Sequence, residues 1–174
     1  MVYARTKIVL MDYVFGNEME HQGTSLHYNG KSPFGLYKKI TSSFNMIFGI
    51  PEGRVQEVKY EVDNSGEKEI FNSKWTVIKQ MDVYSYLRFD ITLNGDENKK
   101  TKGGKANISI KPRIFTEYPQ DNIIQQNIFY EMARRLWHET VYENTRDKFI
   151  IEGQRITNNF LNYIKKSFNQ LNSI

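Results

Sequence analysis

The side chains able to do chemistry in this chain are few and scattered. There is no cysteine, which excludes thiol catalysis, a disulfide framework and thiolate metal sites. Three histidines remain. His21 and His27 lie near Glu18 and Glu20 in a polar stretch. Imidazole and carboxylate groups are zinc ligands, but this spacing fits no zinc motif, and the expectation is a solvated loop with no metal. His138 sits in the run Arg134-Arg135-Leu136-Trp137-His138-Glu139, where Glu131, Arg134 or Arg135, and His138 are spaced to share a helix face. Such a group can move a proton or hold an anion; an ion-paired surface is the simpler expectation. The His138-Glu139 pair lacks the second histidine of a zincin helix, and Gly103-Gly104 opens no helix as a phosphate loop would. No nucleophile can be paired with a base, so the reading leans away from an enzyme, and no cofactor is implied.

Binding side chains are more plentiful. From Met81 to Leu93, Val83, Leu87, Phe89, Ile91 and Leu93 alternate with Asp82, Tyr84, Tyr86, Arg88, Asp90 and Thr92. A strand alternates its side chains between two faces, so one face is apolar and the other polar and aromatic. Ala106, Ile108, Ile110 and Ile114 alternate in the same way with Asn107, Ser109, Lys111 and Arg113. Tyr84, Tyr86, Arg88, Lys111 and Arg113 are therefore expected on one polar sheet face, where rings stack bases and cations neutralise phosphates. Carboxylates on the same strands argue for an ordinary solvated sheet with cross-strand ion pairs.

The elements that must position these residues form a meander from Val55 to Tyr118. Val58, Tyr60 and Val62 alternate with Glu57, Lys59 and Glu61, and a less regular strand, about 68–79, carries Phe71, Trp75 and Val77. Asp63-Asn64-Ser65-Gly66 reads as a turn and 80–82 as a tight connection. The polar run NGDENKKTKGGK after Leu93 reads as a mobile hairpin tip. Pro112 donates no ladder hydrogen bond, so its strand is expected at an edge or with a bulge. Before the meander, residues 3–15 read as a strand and 25–28 as a short one. Ser32-Pro33 reads as a helix start, with Tyr37, Ile40, Phe44 and Ile47 at helical spacing up to Gly49 and Pro51. After it the period becomes helical. Ile124, Ile128, Met132 and Leu136 form one stripe; Phe149, Ile156, Phe160, Ile164 and Phe168 form a second, with the joint expected at 144–147. Gly153 within the second stripe suggests close packing.

A chain of 174 residues is most simply one domain, and 39% apolar with 14% aromatic residues supplies a sizeable core. No segment approaches the roughly 18 apolar residues of a membrane span, and 8–11 is too short for a signal peptide, so a soluble cytoplasmic protein is expected. Net charge is +4. The excess is spread evenly: 6 basic against 4 acidic groups over 1–54, 11 against 10 over 55–118, and 7 against 6 over 119–174. The one dense basic cluster is Lys99, Lys100, Lys102 and Lys105, beside Asp96 and Glu97.

The fold class expected is α+β: an antiparallel meander packed against a helix from the first half of the chain and a long C-terminal helical segment. That order resembles the helix-grip arrangement of the START/Bet v 1-like superfamily, with a further helix, about 121–145, before the terminal one. The chain also resembles a group of small archaeal proteins of unknown function, through Trp75, the Asp82 and Tyr84 strand start, a Gly-bounded hairpin and a helical tail. The helix-grip resemblance implies non-enzymatic binding of a hydrophobic small molecule or lipid between sheet and C-terminal helix, with Tyr60, Trp75, Phe89 and Phe160 as lining. The alternative is an interaction or nucleic-acid-associated protein working from the Tyr84, Tyr86, Arg88, Lys111 and Arg113 face.

Overall fold

Long runs of two-residue alternation become long strands. In the computed structural model, which describes residues 6–15, 23–51, 54–120 and 127–173, the elements are β1 (Thr6–Tyr13), β2 (Thr24–Lys31), α1 (Gly35–Met46), β3 (Val55–Asp63), β4 (Lys68–Gln80), β5 (Ser85–Asn98), β6 (Gly103–Gln120), α2 (Ile128–Thr140) and α3 (Glu143–Asn172). The strands make one antiparallel sheet in the order β1-β6-β5-β4-β3, with β2 also paired to β6. The class is α+β, as expected.

β6 is not an edge, and Pro112 shows why it need not be. Its outer side is shared by two short strands: β1 pairs with 113–120 and β2 with 103–110. Pro112 falls in the gap between them and faces Phe89 on its other side. A residue without an N–H is tolerated where no partner strand waits for one.

Two turns differ from expectation. The run after Leu93 is mostly strand: Gly95 pairs with Ala106, Asp96 with Lys105 and Glu97 with Gly104, leaving 99–102 as the turn. β5 begins at Ser85, not near Met81, because the Asp82 carboxylate accepts hydrogen bonds from the Tyr84 and Ser85 N–H groups at 2.8 and 2.7 Å and shapes the turn before it. Val83 is thereby left 87% exposed, off the apolar face. On β3 the register slips between Glu57 and Lys59, a bulge on an edge strand that leaves Val58 and Tyr60 half-exposed.

The apolar face of the sheet is covered by α1 and α3. Trp75, Val77, Leu87, Phe89, Ile91, Leu93, Ile108, Ile110 and Ile114 are buried against Leu36, Ile40 and Phe44 of α1 and Ile156, Phe160 and Ile164 of α3. Phe48, just past α1, fills the centre, with ring centroids 5.0 Å from Phe89 and 5.7 Å from Phe160. Gly153 lets α3 approach: a Cβ there would lie 3.1 Å from the Val14 and Leu87 methyls.

The helix termini depart from the sequence reading. Ser32 does not cap α1; it has φ 47° and belongs to the turn that leads in. The N-cap is Phe34, whose own side chain cannot cap, and its N–H donates to Glu97 Oε2 at 3.2 Å. A carboxylate from the sheet thus does the work of a local cap. The break between the last two helices lies at Val141 and Tyr142, and 144–147 lies inside α3. The second stripe faces the core as expected. The first does not: Ile128, Met132 and Leu136 are exposed, and Ile124 lies outside the described residues. Among the described residues no helix is long and apolar enough to cross a membrane.

Candidate functional site: the open sheet face

The sheet face turned away from α1 and α3 carries the alternate positions of every strand. Register puts Arg113 opposite Arg88, Lys111 opposite Asp90, and Phe115 opposite Tyr86 across β5 and β6. Thr76 stands opposite Asp90, and Lys74 opposite Thr92, across β4 and β5. Tyr13 of β1 faces Arg113.

Asp90 is the hub. It is 7% exposed. It accepts from Thr76 Oγ1 at 2.8 Å and from Arg88 Nε at 3.1 Å, and it forms an ion pair with Arg113. Burial works to raise its pKa, but the bonds from Thr76, Arg88 and Arg113 outweigh that and hold it below the usual carboxylate value. An ionised carboxylate with its oxygens engaged is no general base; it is a clamp that aligns two guanidinium groups. The Arg113 Nε is buried and has no hydrogen-bond partner among the described residues. Lys74 and Lys111, on either side, have no ion-pair partner among the described residues.

The rings are ordered as well. Tyr86 and Phe115 stack at 5.3 Å with an interplanar angle of 11°, and Arg113 lies over Phe115 at 5.6 Å. The Tyr86 hydroxyl donates to Glu117 at 3.2 Å, and Glu117 pairs with Lys7 at 2.7 Å. Burial, then the Glu117 charge, pushes the Tyr86 phenol up.

A cleft of about 280 Å³ opens at the centre of this face, lined by Tyr13, Phe15, Gly23, Thr24, Lys74, Asp90, Thr92, Lys111, Pro112 and Arg113. Gly23, with φ 73°, closes one wall. A Cβ there would meet the Ile110 carbonyl oxygen and Lys111 Cγ at 2.5 Å, so only glycine lets the chain fold down at this point. Among the described residues the cleft holds cations and flat rings. Such an arrangement is able to take an anion with an apolar or aromatic part.

Tyr86, Arg88, Lys111 and Arg113 are brought together here, and Tyr84 is not. Tyr84 lies in the turn before β5, with its ring 5.7 Å from Tyr118 and 6.1 Å from Trp137. Asp90, Lys74, Tyr13 and Phe115 complete the site beyond the residues picked from sequence. Asp90 had one sequence signal, a carboxylate two residues from Arg88 on a strand. Trp75, Phe89 and Phe160 are fully buried. Tyr60 is half-exposed on β3 and reaches Trp75 only through Tyr37, with 5.3 Å between successive rings. The clefts on the open face, beside β2, beside α2 and beside Val83 are not lined by these four residues.

His138 belongs to a second polar cluster, where α2 meets β1, β6 and α3. Its Nδ1 is 2.7 Å from the Tyr118 hydroxyl and its Nε2 3.1 Å from Arg146 NH1. Arginine only donates, so Nε2 accepts and the ring proton sits on Nδ1, directed at Tyr118. Burial, then the Arg146 charge, lowers the His138 pKa and keeps the ring neutral. Burial pushes Tyr118 up to about 12. Arg146 also faces Asp12 at 3.5 Å. Arg134 pairs with Glu131 at 2.7 Å and lies over the Tyr118 ring at 5.1 Å, and Arg135 pairs with Glu139 at 3.1 Å. Ser85 is fully buried and hydrogen-bonded to Tyr142 at 2.6 Å and Thr116 at 2.8 Å. The ion pairs expected on this helix are present and lie within it, while His138 and the Arg134 guanidinium over Tyr118 fasten α2 to the body.

His27 is exposed on β2 opposite Asn107, while His21, Glu18 and Glu20 lie outside the described residues. Among the described residues no three metal-ligating side chains gather at binding distance. The chain matches no protein-family model and no curated protein.

Proposed function

We propose that the protein is a non-enzymatic binding module that takes a single-stranded nucleic acid on its open sheet face. The carrying observation is the central cleft, where Lys74 and Lys111 stand without an ion-pair partner among the described residues, beside a clamped Arg113 and the aromatic side chains Tyr13 and Phe15. Phosphates take up unpaired cations and release counter-ions. Bases stack on rings, and a sheet presents both at strand spacing. The element order supports a helix-grip kinship, and with it an apolar ligand between sheet and α3. Phe48, Phe89 and Phe160 occupy that space with their own rings, so the open face is the better-supported site.

The test is fluorescence anisotropy with a labelled single-stranded RNA and its DNA counterpart, titrated between about 50 and 200 mM salt. Binding that weakens as salt rises is expected. Lys74→Ala and Lys111→Ala each lower the affinity, and each reduces the salt slope by about 0.7. Absent binding, or binding indifferent to salt and to both lysines, removes this function.

A further inference from the structure

The open face continues past the central cleft. On β6, Arg113, Lys111, Ser109 and Asn107 occupy alternate positions and so share that face. Register then lays a row across four strands. Asn72 of β4 stands opposite Asn94 of β5, Asn94 opposite Asn107 of β6, and Asn107 opposite His27 of β2. Three amides and an imidazole in line differ in chemistry from the cations of the central cleft. Lysine and arginine only donate, whereas an amide carries an acceptor oxygen and a donor NH2 side by side. A second cleft, of about 420 Å³, lies at this row, and its lining includes His27, Asn94, Asp96, Lys105 and Asn107.

The Asn107 carbonyl oxygen, Oδ1, is buried and has no hydrogen-bond partner among the described residues. A buried acceptor without a donor is costly, and a ligand N–H supplies what it lacks. Further along the same face of β6, the Arg113 Nε is a buried donor without an acceptor among the described residues. The two residues are about 20 Å apart along the strand. A single-stranded nucleic acid carries both complements: phosphate oxygens for the guanidinium, and base N–H groups for the amide.

We infer that this row is a base-reading subsite and that the base it takes is adenine. The inference rests on the nucleic-acid reading of the open face. An asparagine amide makes two hydrogen bonds with adenine: Oδ1 accepts from the N6 amino group and Nδ2 donates to N7. In a single strand that edge is free to be read. His27, exposed at the end of the row, offers a flat ring on which a base stacks. The carboxylate in the cleft, Asp96, is paired with Lys68 at 3.0 Å and stands opposite Lys105. Its charge is thereby offset where the strand's phosphates must pass.

The test is fluorescence anisotropy of the full chain, at fixed salt, with labelled RNA oligomers of adenylate, cytidylate and uridylate. The adenylate oligomer is expected to bind about tenfold more tightly than the other two, within the range one bidentate contact gives. Asn107→Ala keeps the wild-type circular dichroism and brings adenylate down to the level of the other two. Lys111→Ala, at a phosphate position, weakens all three alike. An oligomer of 7-deazaadenylate, which lacks the N7 acceptor, gives a second readout on the unaltered protein: it loses the advantage of adenylate. Salt-sensitive binding with no preference for adenylate overturns the inference and leaves the nucleic-acid reading standing. So does a preference that survives either Asn107→Ala or the loss of N7. Absent binding of all the oligomers overturns both.

Discussion

Arg88 and Arg113 stand directly opposite each other across β5 and β6, and Asp90 holds both. Like charges in register repel. The pair exists because a nearly buried carboxylate lies between them. Asp90→Asn keeps the shape and removes the charge. It is expected to lower stability by about 2 kcal/mol, less than the 3–5 typical of a fully buried pair because Arg88 still reaches solvent. Urea denaturation at neutral pH measures this. The folded-state pKa of Asp90 is depressed, so its contribution is present above the unfolded value of 3.8 and is lost as pH falls through the folded value. The gap between wild type and Asp90→Asn therefore closes below about pH 3.8.

His138 gives the opposite end of the pH scale. Its folded pKa lies below 6.5, from burial first and then Arg146. The unfolded chain then binds the proton more readily, so stability is full above about pH 6.5 and declines as pH falls below it. The Arg146 guanidinium already occupies the position a second ring proton would need. Acidification is expected to loosen α2 before the sheet. Hydrogen exchange checks this: amides of α2 lose protection between about pH 7 and 5.5 while those of β5 do not. His138→Gln weakens that pH dependence.

Phe48 fills the space between the sheet and α3, packed on Phe89 and Phe160. Phe48→Ala should cost about 3–5 kcal/mol and leave a dry apolar hole between Phe89 and Phe160. The wild type is expected to show no thermal shift with a small aromatic such as benzene, and Phe48→Ala to regain part of its lost stability with it. A wild-type shift of the same size would restore the internal ligand to first place.

Much of this architecture follows from side-chain order alone. Alternation from Leu87 to Leu93 and from Ala106 to Ile114 names the two sheet faces, because strand geometry sends neighbouring side chains to opposite sides whatever surrounds them. The α3 stripe from Ile156 to Ile164 does the same at helical period. These are local consequences of backbone geometry. Which neighbours a strand or helix receives is not local. Pro112 signals only a missing donor, and the abutting ends of β1 and β2 let it sit inside the sheet. Glu97 reads as a loop carboxylate and becomes the cap of α1, 63 residues away. Asp90 reads as one of several strand carboxylates, and only the register of β4, β5 and β6 brings Thr76, Arg88 and Arg113 onto it. Ile128, Met132 and Leu136 announce an apolar stripe, but periodicity states only that surface exists to be buried. Inward contacts through His138 and Arg134 turn that stripe outward, where Ile128, Met132 and Leu136 stay exposed.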